Sequence, residues 1–158
     1  MSEEKKEILD VCCGSRMFYF DKENPSVLFC DIREFEDTLC DGRKLEVKPD
    51  VIADFRDLPF EDNIFSLVVF DPPHMKTLGK NSWMAKKYGV LGDTWEDDIK
   101  QGFSECFRVL KAGSVLVFKW NSVEIPVSQI LKLTNKKPLL GHKSGKRQDT
   151  HWILFINQ

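Results

Sequence analysis

The stretch that decides the fold is FSLVVFDPPH, residues 65–74, in which a nearly continuous apolar run precedes an acid, two prolines and a histidine. An apolar run without regular polar alternation is typical of a central strand in a parallel sheet, because such a strand is covered on both faces. The prolines fix their φ angles and stiffen the loop that leaves the strand at Asp71. The stretch therefore predicts a buried parallel strand that ends in an acid and a rigid loop.

Shorter apolar runs with a similar ending precede this strand along the chain. They occupy residues 7–11, 26–30 and 50–53, and each closes near an acidic residue. Beyond the central strand, residues 95–110 place their apolar side chains on one helical face, and a further apolar run follows at 114–118. Strands separated by helical patterns predict an α/β fold, a mostly parallel sheet with helices on both faces.

Local signals mark the ends of two helices. Thr94 and Asp97 have the spacing of a capping box at the start of the helix over 95–110, and Gly113 is expected to end the turn beyond it. A second helix is predicted over 125–135, with Pro126 in its first turn.

Two segments depart from the alternation of strands and helices. Residues 39–47 have an Asp-Gly pair at 41–42, which is typical of a hairpin turn and predicts that a hairpin replaces the helix usual at this point. The chain closes with apolar runs at 138–142 and 150–156, joined by residues 143–149. So short a connection predicts that the last strand is antiparallel to its neighbour.

Length and composition bound the class of protein. The chain has 158 residues, of which 42% are hydrophobic and 30% charged, which predicts one soluble globular domain over residues 1–158. No apolar run in the sequence approaches the roughly 20 residues of a membrane span. Residues 1–7 are charged and lack the apolar stretch of a signal peptide, so we expect a cytoplasmic protein without membrane association.

The net charge of −2 conceals an uneven distribution of charge. Residues 1–75 carry 9 Lys and Arg against 18 Asp and Glu, a net charge of −9, whereas residues 76–158 have a net charge of +7. An asymmetry of this size favours two surfaces for two different partners. Chance unevenness of solvated charge is the alternative.

The five cysteines form no C-x-x-C pair, and their odd number argues against a disulfide framework. Cys12 and Cys13 are adjacent and therefore poorly placed to supply two ligands of a tetrahedral zinc site, and no His-x₃₋₅-His follows them. We expect thiols that act as small apolar side chains, and no metal site.

Acidic residues follow four predicted strands, at the edge of the sheet where ligands bind in open α/β folds. They are Asp10, Asp31, Asp54 and Asp71, and the loop that begins at the first of them has the sequence DVCCGSR. Together these motifs resemble class I methyltransferases that use S-adenosylmethionine, over nearly the whole chain. The DPPH motif is similar to the Asp/Asn-Pro-Pro-aromatic signature of the amino-methylating branch, and more narrowly to small phage and bacterial methyltransferases with Asp-Pro-Pro-His.

The resemblance implies that S-adenosylmethionine is held by the first three acids and their loops. Gly14 lets the backbone approach the methionine tail, Asp31 accepts both ribose hydroxyls, and Asp54 accepts from the adenine amine. An acid in the position of Asp31 also occurs in NAD-binding domains, but the missing G-x-G-x-x-G motif counts against NAD. The predicted cofactor-binding residues are Asp10, Cys12, Cys13, Gly14, Ser15, Asp31, Ile32, Asp54 and Phe55.

The resemblance further implies that Asp71, Pro72, Pro73 and His74 form the acceptor site. An exocyclic amine is a poor nucleophile because its lone pair is delocalised into the ring. Two acceptors, the Asp71 carboxylate and the Pro72 carbonyl, favour the pyramidal form of the amine and restore that lone pair. His74 stands where the family usually has Tyr or Phe to stack on the target ring. An imidazole can stack too, although less well, and is able to titrate near neutral pH.

Two lysine-rich segments are predicted to bind the substrate. Residues 75–92 interleave lysines with aromatic residues, which suits a lid over a nucleic-acid strand. A basic cluster of Lys136, Lys137, Lys143, Lys146 and Arg147 surrounds the loop that follows the apolar run at 138–142, which we call the basic loop. This loop lies beside the site if the strand before it is parallel; a solvated charged hairpin is the alternative. The predicted substrate-binding residues are Lys76, Lys80, Trp83, Lys86, Lys87, His142, Lys143, Lys146 and Arg147.

The sequence therefore predicts an S-adenosylmethionine-dependent N-methyltransferase that acts on a nucleic-acid base, with adenine N6 as the model acceptor. Two alternatives remain open. The same acceptor geometry suits a protein glutamine or a small-molecule amine. Arg16 and His74 depart from the family pattern and allow a nucleic-acid-binding protein without turnover. The chain is too short for a separate target-recognition region, which favours a structured RNA or a loosely specified DNA site.

Overall fold

The structure, a computed structural model, describes residues 5–77 and 82–158. Its elements are β1 (Ile8–Asp10), β2 (Val27–Asp31), β3 (Phe35–Thr38), β4 (Lys44–Val47), β5 (Val51–Ile52), β6 (Phe65–Phe70), α1 (Trp83–Tyr88), α2 (Trp95–Val109), β7 (Leu110–Asn121), α3 (Val127–Leu131), β8 (Leu140–Ser144) and β9 (Thr150–Ile156). Within the described residues, every helix is too short or too polar to traverse a lipid bilayer.

Seven strands form one sheet in the order β5-β2-β1-β6-β7-β9-β8. The first five are parallel to their neighbours, whereas β9 is antiparallel to both β7 and β8. The predicted α/β fold class is confirmed, including the antiparallel last strand. Because β8 runs in the same direction as β7, the loops after β1, β2, β5, β6, β7 and β8 all lie at one edge of the sheet, which we call the carboxyl edge.

The deciding stretch forms β6 with its predicted bounds, at the centre of the sheet between β1 and β7. Val68 and Phe70 are fully buried. Because Val69, on the opposite face, is only 6% exposed, burial on both faces at the end of the strand accounts for the nearly continuous apolar run.

The main apolar core lies on the face of the sheet that α2 covers. The Phe103 ring of α2 lies 5.4 Å from the Phe70 ring and 4.9 Å from the Phe118 ring, measured between centroids. Gly102 permits this approach, because a Cβ atom at that position would lie 2.6 Å from the Phe70 ring. Ile130 of α3 belongs to the same core.

A second, smaller apolar cluster involves the segment between β1 and β2. Val27 and Phe29 of β2 pack there with Cys13 and Tyr19. The Tyr19 ring meets the Phe29 ring edge-on at 4.9 Å. Residues 11–26, all of which the structure describes, form turns rather than a helix, so side chains of this segment cover the sheet directly.

The predicted hairpin is present between β2 and β5, formed by antiparallel β3 and β4. Gly42 lies in its turn with φ of +85°, a conformation that favours glycine. The first strand begins at Phe35, earlier than predicted. The reason is that Leu39 already belongs to the turn, where its N–H donates to the Arg43 carbonyl and its carbonyl accepts from Gly42.

Three details of the helices differ from prediction. The hydroxyl of Thr94 donates to Asp98 at 3.0 Å, so the capping box with Asp97 is wrong. The chain passes directly from Val109 into β7, which places Gly113 within that strand rather than after the helix. The helix predicted over 125–135 is shorter, and begins after Pro126 as its N-cap.

Candidate active site

A cavity of about 270 Å³ opens at the carboxyl edge, where the strand order reverses between β1 and β6. This reversal is the usual ligand position in open α/β sheets. The loops after β1, β2, β5 and β6 supply its walls. Of the predicted site residues, the cavity lining contains Cys12, Cys13, Gly14, Ser15, Asp31, Ile32, Asp54, Phe55, Asp71, Pro72, Pro73 and His74.

Asp10 is fully buried and lies outside that lining. Its carboxylate accepts hydrogen bonds from the Tyr19 hydroxyl at 2.9 Å and from the Cys12 backbone N–H at 3.2 Å. Burial raises the pKa of Asp10 to about 7, against the opposing effect of the Tyr19 hydrogen bond. The carboxyl group is thus half protonated near neutral pH.

Asp31 locks the first loop to the second strand. Its carboxylate accepts from the Gly14 N–H at 2.9 Å, and from the Arg33 backbone N–H and side-chain Nε at 2.9 and 3.3 Å. Arg33 also donates to the Lys86 carbonyl of α1 at 2.8 Å. Ile32, between these anchors, is 58% exposed and gives the cavity an apolar wall.

Arg16 departs from the pattern of the resembled family, and its backbone conformation is one that glycine usually adopts. Its φ of +59° lies in the left-handed region that favours glycine. The guanidinium turns away from the cavity and donates to the carbonyls of Lys22 at 2.6 Å and Lys48 at 2.7 Å. It also lies 3.8 Å from the centroid of the Phe29 ring. Arg16 therefore ties the loop to the hairpin side of the sheet and leaves the cavity open.

Asp54 is engaged by its own neighbour. The Arg56 backbone N–H donates to it at 2.9 Å, and the Arg56 guanidinium at 2.6 Å. These hydrogen bonds lower the pKa of Asp54. Phe55, between them, packs its ring edge-on against Phe70 at 5.3 Å. A ligand amine that binds Asp54 must share its carboxylate with Arg56.

Asp71 is the acid of the predicted acceptor site, and its partner is the Lys119 ammonium at 3.5 Å. Burial raises the pKa of Asp71 to about 6, while the Lys119 charge lowers it. Asp71 is therefore mostly ionised at neutral pH. Pro73 lies under Gly89, where a Cβ atom would come within 3.2 Å of the proline ring, so the end of α1 closes tightly on this loop.

His74 is half-buried and lies edge-on to the Trp120 ring, with centroids 6.2 Å apart. Burial, followed by the Lys119 charge, lowers the pKa of His74 to about 4. His74 therefore does not titrate near neutral pH, because an imidazole shielded from water beside an ammonium keeps its neutral form. Trp120 is itself fixed, since its Nε1 donates to the Ile125 carbonyl at 2.9 Å.

Of the predicted lid residues, Lys76 and Lys86 lie outside the cavity lining, and Lys80 lies outside the described residues. Trp83 and Lys87 belong to α1. The Lys86 ammonium pairs with Asp37 of β3 at 2.7 Å, which makes it a tie between α1 and the hairpin. The Lys76 ammonium lies 5.8 Å from the Trp95 ring.

The predicted basic loop lies at the carboxyl edge, because β8 runs parallel to β7. His142 and Lys143 are exposed on β8, and Lys146 and Arg147 are exposed in the turn that follows. These four residues also lie outside the cavity lining. The register of the sheet places His142 beside Trp152, and Trp152 beside Lys119. His142, Trp152 and Lys119 thus form a row across β8, β9 and β7 that leads from the basic loop to the cavity.

Sequence reasoning missed several residues that shape the site. Lys119 and Phe18 line the cavity, and Tyr19 bonds the buried Asp10. Lys119 was detectable, since it is a charge between the apolar run at 114–118 and Trp120. The pairing of Tyr19 with Asp10 had no signal in the sequence, because it depends on how the turns of residues 11–26 fold back.

The cysteines are unpaired, and within the described residues no group of His, Cys, Asp and Glu is arranged to hold a metal ion. Cys13, Cys30 and Cys106 are buried, and Cys12 contributes to the cavity. Burial raises the pKa of the Cys12 thiol well above its usual value, so the group is not a ready nucleophile.

Comparisons with known proteins identify the fold. No protein-family model matches the chain, and no curated protein matches it in sequence. Protein PH0226 from Pyrococcus horikoshii OT3 superposes with a TM-score of 0.62 at 16% identity, over 98% of this chain and 83% of that one. A TehB-like SAM-dependent methyltransferase from Corynebacterium glutamicum gives 0.59 at 13%, over 98% and 82%.

A third solved structure extends the comparison. A geranyl diphosphate methyltransferase in complex with GPP and sinefungin gives a TM-score of 0.57 at 8% identity, over the whole of this chain and 74% of that one. The chain therefore has the mostly parallel, Rossmann-like fold that these methyltransferases share.

Proposed function

We propose that this protein transfers a methyl group from S-adenosylmethionine to an exocyclic amine of a nucleic-acid base. The observation that carries the proposal is the position of Asp71-Pro72-Pro73-His74. In a fold shared with methyltransferases, this motif lines the same cavity as the loops after β1, β2 and β5. One cavity thus brings together a surface suited to the cofactor and a surface suited to an amine.

The residues present fit S-adenosylmethionine on the chemistry of the donor set. Gly14 and Ser15 of the first loop line the cavity, and Ile32 and Phe55 offer apolar surface to the cofactor's adenine. Asp31 and Asp54 supply carboxylates at the ends of successive strands. When bound, the cofactor supplies a methyl group activated by its sulfonium.

The acceptor half fits an amine of low nucleophilicity. Asp71, with a pKa of about 6, is an ionised acceptor at neutral pH, and the adjacent prolines hold the loop rigid. His74 stays neutral because its pKa lies at about 4, so it presents an uncharged ring to a target base. Holding the amine in line with the methyl group contributes up to roughly 7–11 kcal/mol to lowering the barrier.

Charge favours a nucleic acid over a protein as the substrate. Residues 76–158 carry a net charge of +7, and the exposed cations Lys143, Lys146 and Arg147 lie at the edge of the sheet where the cavity opens. Cations in this position suit a phosphate backbone. A base within a duplex would have to be flipped out of the stack to reach the cavity, and an unpaired base would not.

The experiment is to incubate the protein with tritiated S-adenosylmethionine and, separately, RNA, DNA and protein. We expect label in nucleic acid, and an N-methylated nucleoside after digestion and mass spectrometry. Label in protein alone would overturn the nucleic-acid substrate. If calorimetry shows that S-adenosylmethionine binds but no fraction is labelled, the proposal of methyl transfer is overturned in favour of a binding protein.

The basic loop is tested by replacing Lys143, Lys146 and Arg147 with alanine. We expect weaker binding of oligonucleotides, and a slope of log affinity against log salt that is shallower by about 2–3. The matched control replaces Arg43, Lys44 and Lys48 of the β3–β4 hairpin, which removes the same charge from another surface. Equal effects of the two triple variants would show that the basic loop contributes only non-specific electrostatic attraction and is not a binding site for the substrate.

A further inference from the structure

Lys119 is a cation placed inside the proposed acceptor site. It comes from β7, lines the cavity, and holds its ammonium 3.5 Å from the Asp71 carboxylate with its side chain 24% exposed. A lysine in so enclosed a place costs free energy unless its charge is matched. Asp71 matches it, and the two form a charged pair that faces the acceptor space.

Two aromatic rings hold the ammonium in position. Its Nζ atom lies 5.4 Å from the centroid of the Phe18 ring and 5.4 Å from that of the Trp152 ring. Phe18 and Trp152 themselves meet edge-on at 5.4 Å. Attraction between a cation and these ring faces fixes a side chain that is otherwise flexible. The ammonium has three N–H donors, so its contact with Asp71 leaves donors for a ligand.

We propose that Lys119 and Asp71 together recognise an amine that lies next to an unprotonated ring nitrogen. Asp71 accepts from the amine, and Lys119 donates to the neighbouring nitrogen, with the two protein atoms side by side at 3.5 Å. Adenine presents this edge at N6 and N1, and cytosine presents it at N4 and N3. The inference rests on the proposed function, and it names the bases on which that function acts.

The same pair discriminates against other amines. Guanine that enters by its Watson–Crick edge carries a ring N–H beside its amine, and that donor meets the Lys119 donor without a hydrogen bond. The unprotonated N3 of guanine lies on the other side of the amine, next to the sugar. The ε-amine of a lysine side chain has no neighbouring acceptor. Side-by-side donor and acceptor pairs of this kind discriminate between bases by about 1–3 kcal/mol, which corresponds to roughly 5- to 150-fold.

A simpler role for Lys119 is to keep Asp71 ionised, and the test must separate the two. Replacement by methionine removes the charge and therefore raises the pKa of Asp71. Transfer is accordingly measured on the high-pH plateau of each protein's own pH profile, where Asp71 is ionised in both proteins. Under that condition an effect of Lys119 that acts through Asp71 disappears, and an effect on the ring nitrogen persists.

The experiment combines two deletions on a short oligonucleotide. The protein is wild type or Lys119→Met, and the target base is the natural one or its analogue without the ring nitrogen, 1-deazaadenine or 3-deazacytosine. We expect each single deletion to lower kcat/KM by roughly tenfold to a hundredfold. The double deletion should cost little more than either single one, because both remove the same contact.

Other outcomes overturn the inference, and they differ from failure of the proposed function. Effects of the two deletions that multiply, or an analogue methylated as fast as the natural base, show that Lys119 does not contact the ring nitrogen, although the methyl transfer itself stands. Absence of transfer to any nucleic acid overturns the proposed function and this inference together.

Two variants guard against a folding artefact. Lys111→Met removes the same side chain from the far end of β7, where the ammonium contacts Ser66 and Glu7 outside the cavity, and it should transfer at the wild-type rate. Lys119→Arg keeps the charge and the donors, and should retain discrimination between natural base and analogue. The comparison of the two substrates on the wild-type protein needs no variant at all.

Discussion

Four acids lie at or beneath the same cavity, and they fall into two unlike pairs. Asp31 and Asp54 each carry an arginine two residues later, whose backbone N–H and guanidinium both donate to the carboxylate. Asp10, which is fully buried, and Asp71, which is half-buried, have no such arginine, and burial raises their pKa values to about 7 and about 6. We call the first two the paired acids and the other two, whose pKa values burial raises, the buried acids.

The difference shows how one edge of a sheet provides two kinds of surface. A carboxylate that is already hydrogen-bonded to a guanidinium has little to gain from a further positive charge. A buried carboxylate is costly to ionise, and a cation placed beside it lowers that cost. Ionisation of the buried acids therefore depends on positive charge nearby, and the Lys119 ammonium already lowers the pKa of Asp71.

The largest effect that tests the distinction between the paired and the buried acids is the pH dependence of the stability of the ligand-free protein. The folded state holds the Asp10 proton more tightly than the unfolded state does, so unfolding releases a proton between about pH 4 and pH 7. The free energy of unfolding should then fall as pH rises through this window, by up to about 4 kcal/mol from Asp10 alone.

The variant Asp10→Asn tests this, because its amide oxygen still accepts from Tyr19 without titrating. Urea unfolding at a series of pH values should show that the free energy of unfolding of the variant increases relative to that of the wild type as pH rises to 7. The exposed Asp21→Asn serves as the control. If the free energies of unfolding of wild type and Asp10→Asn differ by the same amount at every pH, Asp10 is ionised throughout. The distinction between buried and paired acids would then hold for Asp71 alone.

The second effect concerns transfer. Asp71→Ala removes the acceptor that faces the amine, and we expect the rate of methyl transfer to fall by about 10²- to 10³-fold. The affinity for S-adenosylmethionine, measured by calorimetry, should change little, because the cofactor contacts are assigned to other loops. The exposed Asp62→Asn is the matched control. Transfer that survives in Asp71→Ala would remove Asp71 from the acceptor site.

The third effect is a pH profile. Because the pKa of Asp71 is about 6 and its ionised form accepts the amine, kcat/KM of the wild type should rise about tenfold per pH unit below 6 and level off above it. His74 adds no step near neutral pH, since its pKa is about 4. Asp71→Asn keeps an acceptor oxygen that does not titrate, so its profile should be flat across this range. A profile of Asp71→Asn that still rises through pH 6 would assign the step to another group.

The paired and buried acids also differ in how far the sequence could predict them. The strands that carry all four acids were predictable from their apolar runs, and β6 has its predicted bounds. The arginines of the paired acids lie two residues away along the chain, so their contacts were within reach of a local argument. The partners of the buried acids were not, since Lys119 lies 48 residues beyond Asp71 and meets it only through the pairing of β6 with β7.

Register is the physical reason for that limit. Periodicity states which residues alternate between the faces of a strand, but it does not state which residue of the next strand lies opposite. The pairing of Val69 with Val117, which brings Asp71 and Lys119 together two residues later, is a property of the assembled sheet. The same limit hid the row from His142 through Trp152 to Lys119.

The smallest effect sharpens the comparison from the side of the paired acids. Arg56→Ala removes the partner of Asp54 and a contact with Asp98 at 3.3 Å. Because this arginine is 43% exposed, we expect a loss of only about 0.2–1 kcal/mol in the free energy of unfolding. The pKa of Asp54 should return toward its ordinary value, since the hydrogen bonds that lower it come from Arg56. Calorimetry should show that the affinity for S-adenosylmethionine stays within a few-fold or increases, because a freed carboxylate accepts the adenine amine without competition. A large loss of affinity would mean that Arg56 itself contacts the cofactor. The Asp54–Arg56 pair would then bind the cofactor together, and Arg56 would not compete with it for the carboxylate.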